Sequence, residues 1–262
     1  MAYPTVSAPY GLKPVNLIGG QVFAGATRNF PIDNGSATAI FNGDAVKLTS
    51  DGTVTKDTGT ATATPVGIFL GCYYTSPTTN QRVYSQYYPG NVTSPINDIT
   101  AIVSEDPDNV FKVAYVSGTT VISAVGQNAI GQNAALVQNA GSTITGDSAV
   151  AVSGIATTST LPVRVIQGVP DTAIVTSSTG TTTSASTAVT LAAANSAITV
   201  GMSVAGTGIA VGTYVTAVSG TSVTLSANAT ASGTVLLSFA GFTELLCKWN
   251  FGTHQYLNAT GV

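Results

Sequence analysis

The side chains that could do chemistry are few and scattered. A single histidine, His254, has no serine, cysteine or aspartate placed beside it by any motif, so a hydrogen-bonded or exposed structural role is expected for it rather than catalysis. Cys72 and Cys247 both fall in apolar runs of strand-like sequence and lack metal-ligand spacing; they are expected to be buried free thiols rather than a disulfide. The only cluster of hard oxygen ligands is Glu105-Asp106-Pro107-Asp108-Asn109. Its Pro107 and the missing glycine depart from an EF-hand loop, so a solvated turn is favoured over a cation site. Nucleophile-elbow, HExxH, phosphate-loop and GxGxxG patterns are absent. Paired carboxylates for glycoside cleavage are not suggested, because the acids sit apart on turns. No catalytic residue, cofactor site or metal site is therefore assigned, and the chain is expected not to be an enzyme.

A second kind of chemistry, contact with another surface, has better candidates. Five of the ten tyrosines, Tyr73, Tyr74, Tyr84, Tyr87 and Tyr88, lie in one short region together with Arg82. Tyrosine and arginine bury much area at small entropic cost and keep a polar handle, which suits the centre of a protein–protein interface; an aromatic hairpin packed on its own sheet would have the same composition. Nucleic acid would require several interleaved basic residues, and Arg82 stands alone. Residues 1–20 hold Pro4, Pro9 and Pro14, each of which removes a backbone donor. They are read as an extended arm that cannot build its own sheet. With Tyr3, Tyr10 and Leu12 to bury, the arm either wraps its own domain or lies on a neighbour, and it is expected to become ordered against a partner.

These candidates must be positioned by strands. Charged residues are 7% of the 262, glycines number 28, and threonine, serine, alanine and valine dominate, a composition of short strands and tight turns. The net charge of −3 offers no basic stripe for nucleic acid and no polybasic patch for a membrane surface; although mean hydropathy is +0.34, no apolar run is long enough for a spanning helix. The first residues do not read as a secretory signal, so synthesis in a cytoplasm is expected.

The fold is organised around residues 41–74. There 45–48 alternates in polarity, Asp51-Gly52 is a hairpin signal, and 66–74 is continuously apolar, with Asp44 and Lys47 expected on the wet face. Two short strands are expected about Pro31 and Asn34-Gly35. Further strands at 99–104 and 110–116 are joined by the acidic turn, 125–140 is expected to be a loop with one helical turn at most, and strands follow at 149–152 and 161–166.

Between Asp171 and Glu244 there is no Asp, Glu, Lys or Arg. Residues 174–240 accordingly read as an inserted β module, Ig-like or a small β-sandwich, with strands near 188–192, 198–200, 202–205, 214–218, 222–225 and 234–239. Its ends are expected to lie close together, between strands at 161–169 and 242–249. The expected fold is all-β: a compact barrel- or sandwich-like main domain (21–173 with 241–262), an extended N-terminal arm (1–20) and the inserted module (174–240).

The succession FNGDAVKLTSDGTV, ATPVGIFLG, FKVAYVSGTT, VGQNAIGQNAALV, GSTITGDSAVAV and LPVRVIQGVPD, closing on THQY, resembles the head-decoration (cement) and related virion structural proteins of tailed bacteriophages, of the marine and cyanobacterial phage type. The segment ITVGMSVAGTGIAVGTYVTAVSGTSVTLSANATASGTVLLSF is similar to a small β repeat of phage structural and fibre proteins. The resemblance implies a capsid-surface protein that cements neighbouring subunits, with the major capsid protein and copies of itself, as a trimer or dimer, as partners. The alternative is a fibre or adhesin-type protein contacting host glycans or a receptor.

Overall fold

The computed structural model describes residues 6–23, 25–259 and 261. Nearly all regular structure is strand, arranged in three six-stranded antiparallel sheets, and the few helical residues are single 3-10 turns.

The first sheet carries the order β1(Lys13–Leu17), β8(Asn109–Ala114), β18(Glu244–Trp249), β11(Val163–Gly168), β9(Asn133–Val137), β10(Ala151–Ala156). Edge strand β10 returns to the end of β8, the strand next to the other edge, where Val116 N donates to Val152 O (3.0 Å), so the sheet curls into a half-barrel around Phe111, Leu136, Val163, Leu245 and Trp249. The second sheet runs β2(Arg28–Pro31), β7(Thr100–Ser104), β5(Gly67–Thr75), β3(Ala45–Leu48), β4(Val54–Lys56), with β6(Arg82–Ser85) also paired to β5. The Asp51-Gly52 turn closes β3 onto β4 with Gly52 at φ 75°, a conformation that favours glycine.

The continuous apolar run has a simple cause: the second sheet is a middle layer. Ala45 and Ile68 face the core of the half-barrel, whereas Val46 and Phe69 face a separate core with Ile40, Val92, Ile99 and Tyr88. A strand buried on both faces loses the alternation of a half-wet one. Gly67 allows the close approach this needs, since a Cβ there would lie 2.3 Å from Ser104 O.

Four expectations for the main body and arm are corrected. Asp44 is fully buried, not wet: it pairs with Lys56 Nζ (3.0 Å) and accepts from Ser148 Oγ (2.6 Å) and Phe41 N (2.9 Å). The strands on either side of the acidic turn do not pair with each other, because the turn passes the chain from β7 in the second sheet to β8 in the first. Residues 133–137, expected as loop, form β9. The described part of the arm joins a sheet after all: β1 pairs with β8, Leu12 N donates to Gly43 O (2.9 Å), and Leu12 is fully buried. Pro14 is tolerated because β1 is an edge strand, and the pairing slips between Pro14 and Asn16.

The uncharged segment forms the third sheet, ordered β14(Ser203–Ala205), β17(Gly233–Gly241), β12(Ile174–Thr182), β13(Ala188–Leu191), β16(Ser222–Leu225), β15(Val215–Ser219). Its outer strands are also joined, Val204 N to Thr213 O and Val215 N to Met202 O (both 2.9 Å), so the six strands close on themselves. The strand expected at 198–200 is instead a turn. Ile174 lies opposite Gly241, which brings entrance and exit together, while β11 and β18 on either side pair in the first sheet. The core of this module contains Leu191, Met202, Val223, Leu237 and Phe239, and Ala124 of the main body is packed into it. No helix among the described residues is long and apolar enough to cross a membrane.

Candidate interaction surface

The aromatic region is built by the far end of β5 and by β6. A turn with Asn80 at φ 53° and Ser76 N bonded to Gln81 O (2.9 Å) folds β6 back, setting Tyr84 directly opposite Tyr73 and Arg82 opposite Thr75. The two rings are 5.6 Å apart, and the Arg82 guanidinium carbon is 5.0 Å from the Tyr73 ring centroid. Tyr84 is 72% exposed, and β6 pairs with β5 alone among the described residues, leaving one side of it an open sheet edge.

Asp98 fixes this arrangement from beneath. Its carboxylate accepts from Ser94 Oγ (2.6 Å), Thr75 Oγ1 (2.8 Å) and Thr75 N (2.9 Å), and pairs with Arg82 at 3.4 Å. Burial alone would raise the Asp98 carboxyl; the hydrogen bonds from Ser94 and Thr75, with Arg82, outweigh it and hold the group well below the usual carboxylate range. Asp98 was missing from the sequence candidates because nothing local marks it: its partners lie as far as 23 residues away.

The remaining candidates divide. Tyr74 and Tyr87 are half-buried, Tyr74 packed against the second core and Tyr87 stacked on Phe41 (5.3 Å between centroids, 6° between planes). Gly141 leaves room for that stack, since a Cβ there would lie 2.3 Å from the Phe41 ring. Tyr88 is fully buried, its hydroxyl donating to Ser36 O (3.0 Å), and Leu12 belongs to the core of the half-barrel; both are corrected from contact residues to core residues. Tyr10 donates to the buried Glu244, which also pairs with Lys112 (3.2 Å), and Lys112 lies 5.6 Å above the Tyr10 ring. Burial raises the Tyr10 hydroxyl pKa and the Glu244 bond raises it further. Tyr3 lies outside the described residues.

The groups considered for chemistry take the following places in the fold. Both cysteines are free and buried, and burial pushes the Cys72 thiol up to about 12 and raises Cys247 as well. Buried His254 accepts from Tyr256 N through Nδ1 (3.3 Å), and desolvation lowers its pKa. In the acidic turn Glu105 pairs with Arg28 (3.0 Å) and accepts from Tyr256 Oη (2.5 Å), Asp106 accepts from Asp108 N (2.8 Å), and Asp108 pairs with Lys248 (2.7 Å). No group of three or more His, Cys, Asp or Glu placed to hold a metal ion occurs among the described residues. No protein-family model, curated protein or solved structure matches the chain.

Proposed function

We propose that this chain is a structural protein of a tailed-phage particle that binds the outer face of the capsid, touching the major capsid protein, and cements neighbouring subunits. The observation that carries the reading is the Tyr73–Arg82–Tyr84 cluster: a half-buried tyrosine beside an exposed tyrosine and guanidinium, the Arg82 end paired with Asp98, on a strand edge left unpaired among the described residues. Such an edge offers backbone groups to a partner strand while the tyrosines supply area, the combination used in strand-addition contacts. The ordered resemblance to decoration proteins points the same way, as does the use of most of the acids to close turns and pin strands. Copies of the chain itself are proposed as further neighbours across the same shell.

Reconstruction of particles that carry the chain tests this. The proposal expects a copy number comparable to that of the shell subunit, with β6 at the contact. Replacing Arg82 and Tyr84 together by alanine should weaken binding at least about 30-fold, the scale of one lost hot spot of about 2 kcal/mol, while lowering the stability of the isolated protein by no more than an exposed ion pair is worth, about 1 kcal/mol. A few copies at a vertex or tail, or unchanged occupancy of the double variant, overturns it.

A further inference from the structure

We infer that the crease between the main body and the uncharged module is a binding site for a neutral sugar ring. The crease is a groove of about 370 Å³, within the size range of small-ligand pockets and at a junction between two packed units, where such pockets concentrate. Each side contributes a tyrosine: Tyr115 follows β8 in the body, and Tyr214 precedes β15 in the module. Asn128 and Gln132 line the groove beside them, with the backbone of Gly201 and the flank of Ile155.

Its chemistry selects a class of ligand. Among the described residues no charged side chain lines the groove, so neither phosphate nor carboxylate finds a counter-ion from them. Both tyrosine rings are half-buried, and neither phenol hydrogen-bonds to another described residue. The Asn128 amide lines the groove as well, its Oδ1 buried with no hydrogen-bond partner among the described residues. The Gln132 amide donates to Asn128 O (2.6 Å), which holds that side chain against the groove wall. Aromatic faces together with neutral amides and phenols match a pyranose, which presents C–H groups to rings and hydroxyls to amides. A phosphosugar or a free acid would be excluded by the missing cation.

The floor of the groove is rigid. Gly126 N bonds Gly201 O (2.6 Å), and Thr199 Oγ1 donates to Ala124 O (3.1 Å), so the two tyrosines are carried on elements bonded to each other. A preformed site loses little entropy when it binds. The inference is independent of the capsid reading, and its failure would leave that reading intact.

The test is a titration of isotope-labelled full-length protein with glucose, galactose, mannose and N-acetylglucosamine, with glucuronate as a charged control, followed by NMR. Ordinary ligand efficiency puts a single hexose at a Kd on the order of 1 mM. At least one neutral sugar should shift resonances of Tyr115, Asn128, Gln132 and Tyr214 together, and glucuronate should not. Tyr214→Phe, which keeps the ring, should weaken that sugar about five-fold, the worth of one neutral hydrogen bond, and Tyr214→Ala should abolish the shifts with the remaining spectrum unchanged. If no sugar in the panel moves these residues, if the shifts fall elsewhere, or if they survive in a folded Tyr214→Ala protein, the site is refuted. Should Tyr214→Ala fail to fold, Tyr214→Phe and Asn128→Ala decide by the same criterion.

Discussion

The main body and the uncharged module solve one problem, closing many short strands with tight loops, by different chemistry. In the body the loop acceptors are acidic side chains: Asp57 takes Gly59 N (2.9 Å) and Thr64 N (2.8 Å), Asp98 takes Thr75 and Ser94, and Asp44 ties Phe41, Lys56 and Ser148 at its buried carboxyl group. In the module the same work falls to hydroxyls and backbone. Thr182 Oγ1 donates to Ala231 O (3.0 Å), Thr213 Oγ1 to Ala210 O (2.7 Å), and Ser226 Oγ receives Tyr214 N (3.0 Å). Charge-assisted bonds are the stronger kind, but they tie stability to protonation; neutral bonds do not. The two regions should therefore respond differently to the same perturbation.

The largest separation is expected from Asp44→Ala. It strands the nearly buried Lys56 ammonium and removes acceptors from Ser148 and Phe41, a loss of about 3–5 kcal/mol. Calorimetry should show the transition of the body falling by many degrees while that of the module stays. The mirror experiment, Phe239→Ala, empties the centre of the module and should cost it about 3–5 kcal/mol with the body left in place. A single transition that moves as one in both variants would show the regions to be one cooperative unit through Ala124.

Leu12→Ala comes next, at about 2–5 kcal/mol from the body alone, because this residue of the supposed arm sits at 0% exposure in the half-barrel core. An unchanged melting temperature would restore the arm to a partner's surface.

Acid gives a smaller and graded effect. Asp98 and Glu244 have folded pKa values below their ordinary ones, so their contributions are complete above about pH 4 and are lost as pH falls through that range toward the folded values. His254, kept neutral by burial, works in the same direction: the unfolded chain takes up its proton first, and stability declines as pH drops below about 6.5. All three lie in the body. Melting curves between pH 7 and pH 3 should thus lower the body transition and leave the module flat; a module that tracks the body would break the comparison. The smallest change is expected for Tyr84→Ala, within about 0.5 kcal/mol of the parent because the ring is mostly in solvent.

The elements differ in how legible they were. The β3–β4 hairpin was readable from its alternation and Asp51-Gly52, and β13 and β16 from short β-branched runs between turns. Strand β12 was not. Its sequence, IVTSSTGTT, is polar enough to read as a linker, since much of it faces solvent and its inward positions include Gly180, packed beneath Val189 and Leu237. The candidate surface was legible as a region but not as a set of residues. Tyr84 and Tyr88 sit four residues apart, yet one is 72% exposed and the other 0%.

Local chemistry alone determined the class of this protein: two-residue periodicity, turn dipeptides and the scarcity of charge require strands and tight turns wherever the chain is placed. Tertiary structure decided which faces are buried twice, which acids are buried with partners and which tyrosines stay free. Those outcomes depend on partners distant in the chain, as with Asp44 and Ser148, 104 residues apart, and Tyr10 and Glu244, 234 apart. A side chain's local sequence sets what it can bond to, but only the packed fold sets what it meets.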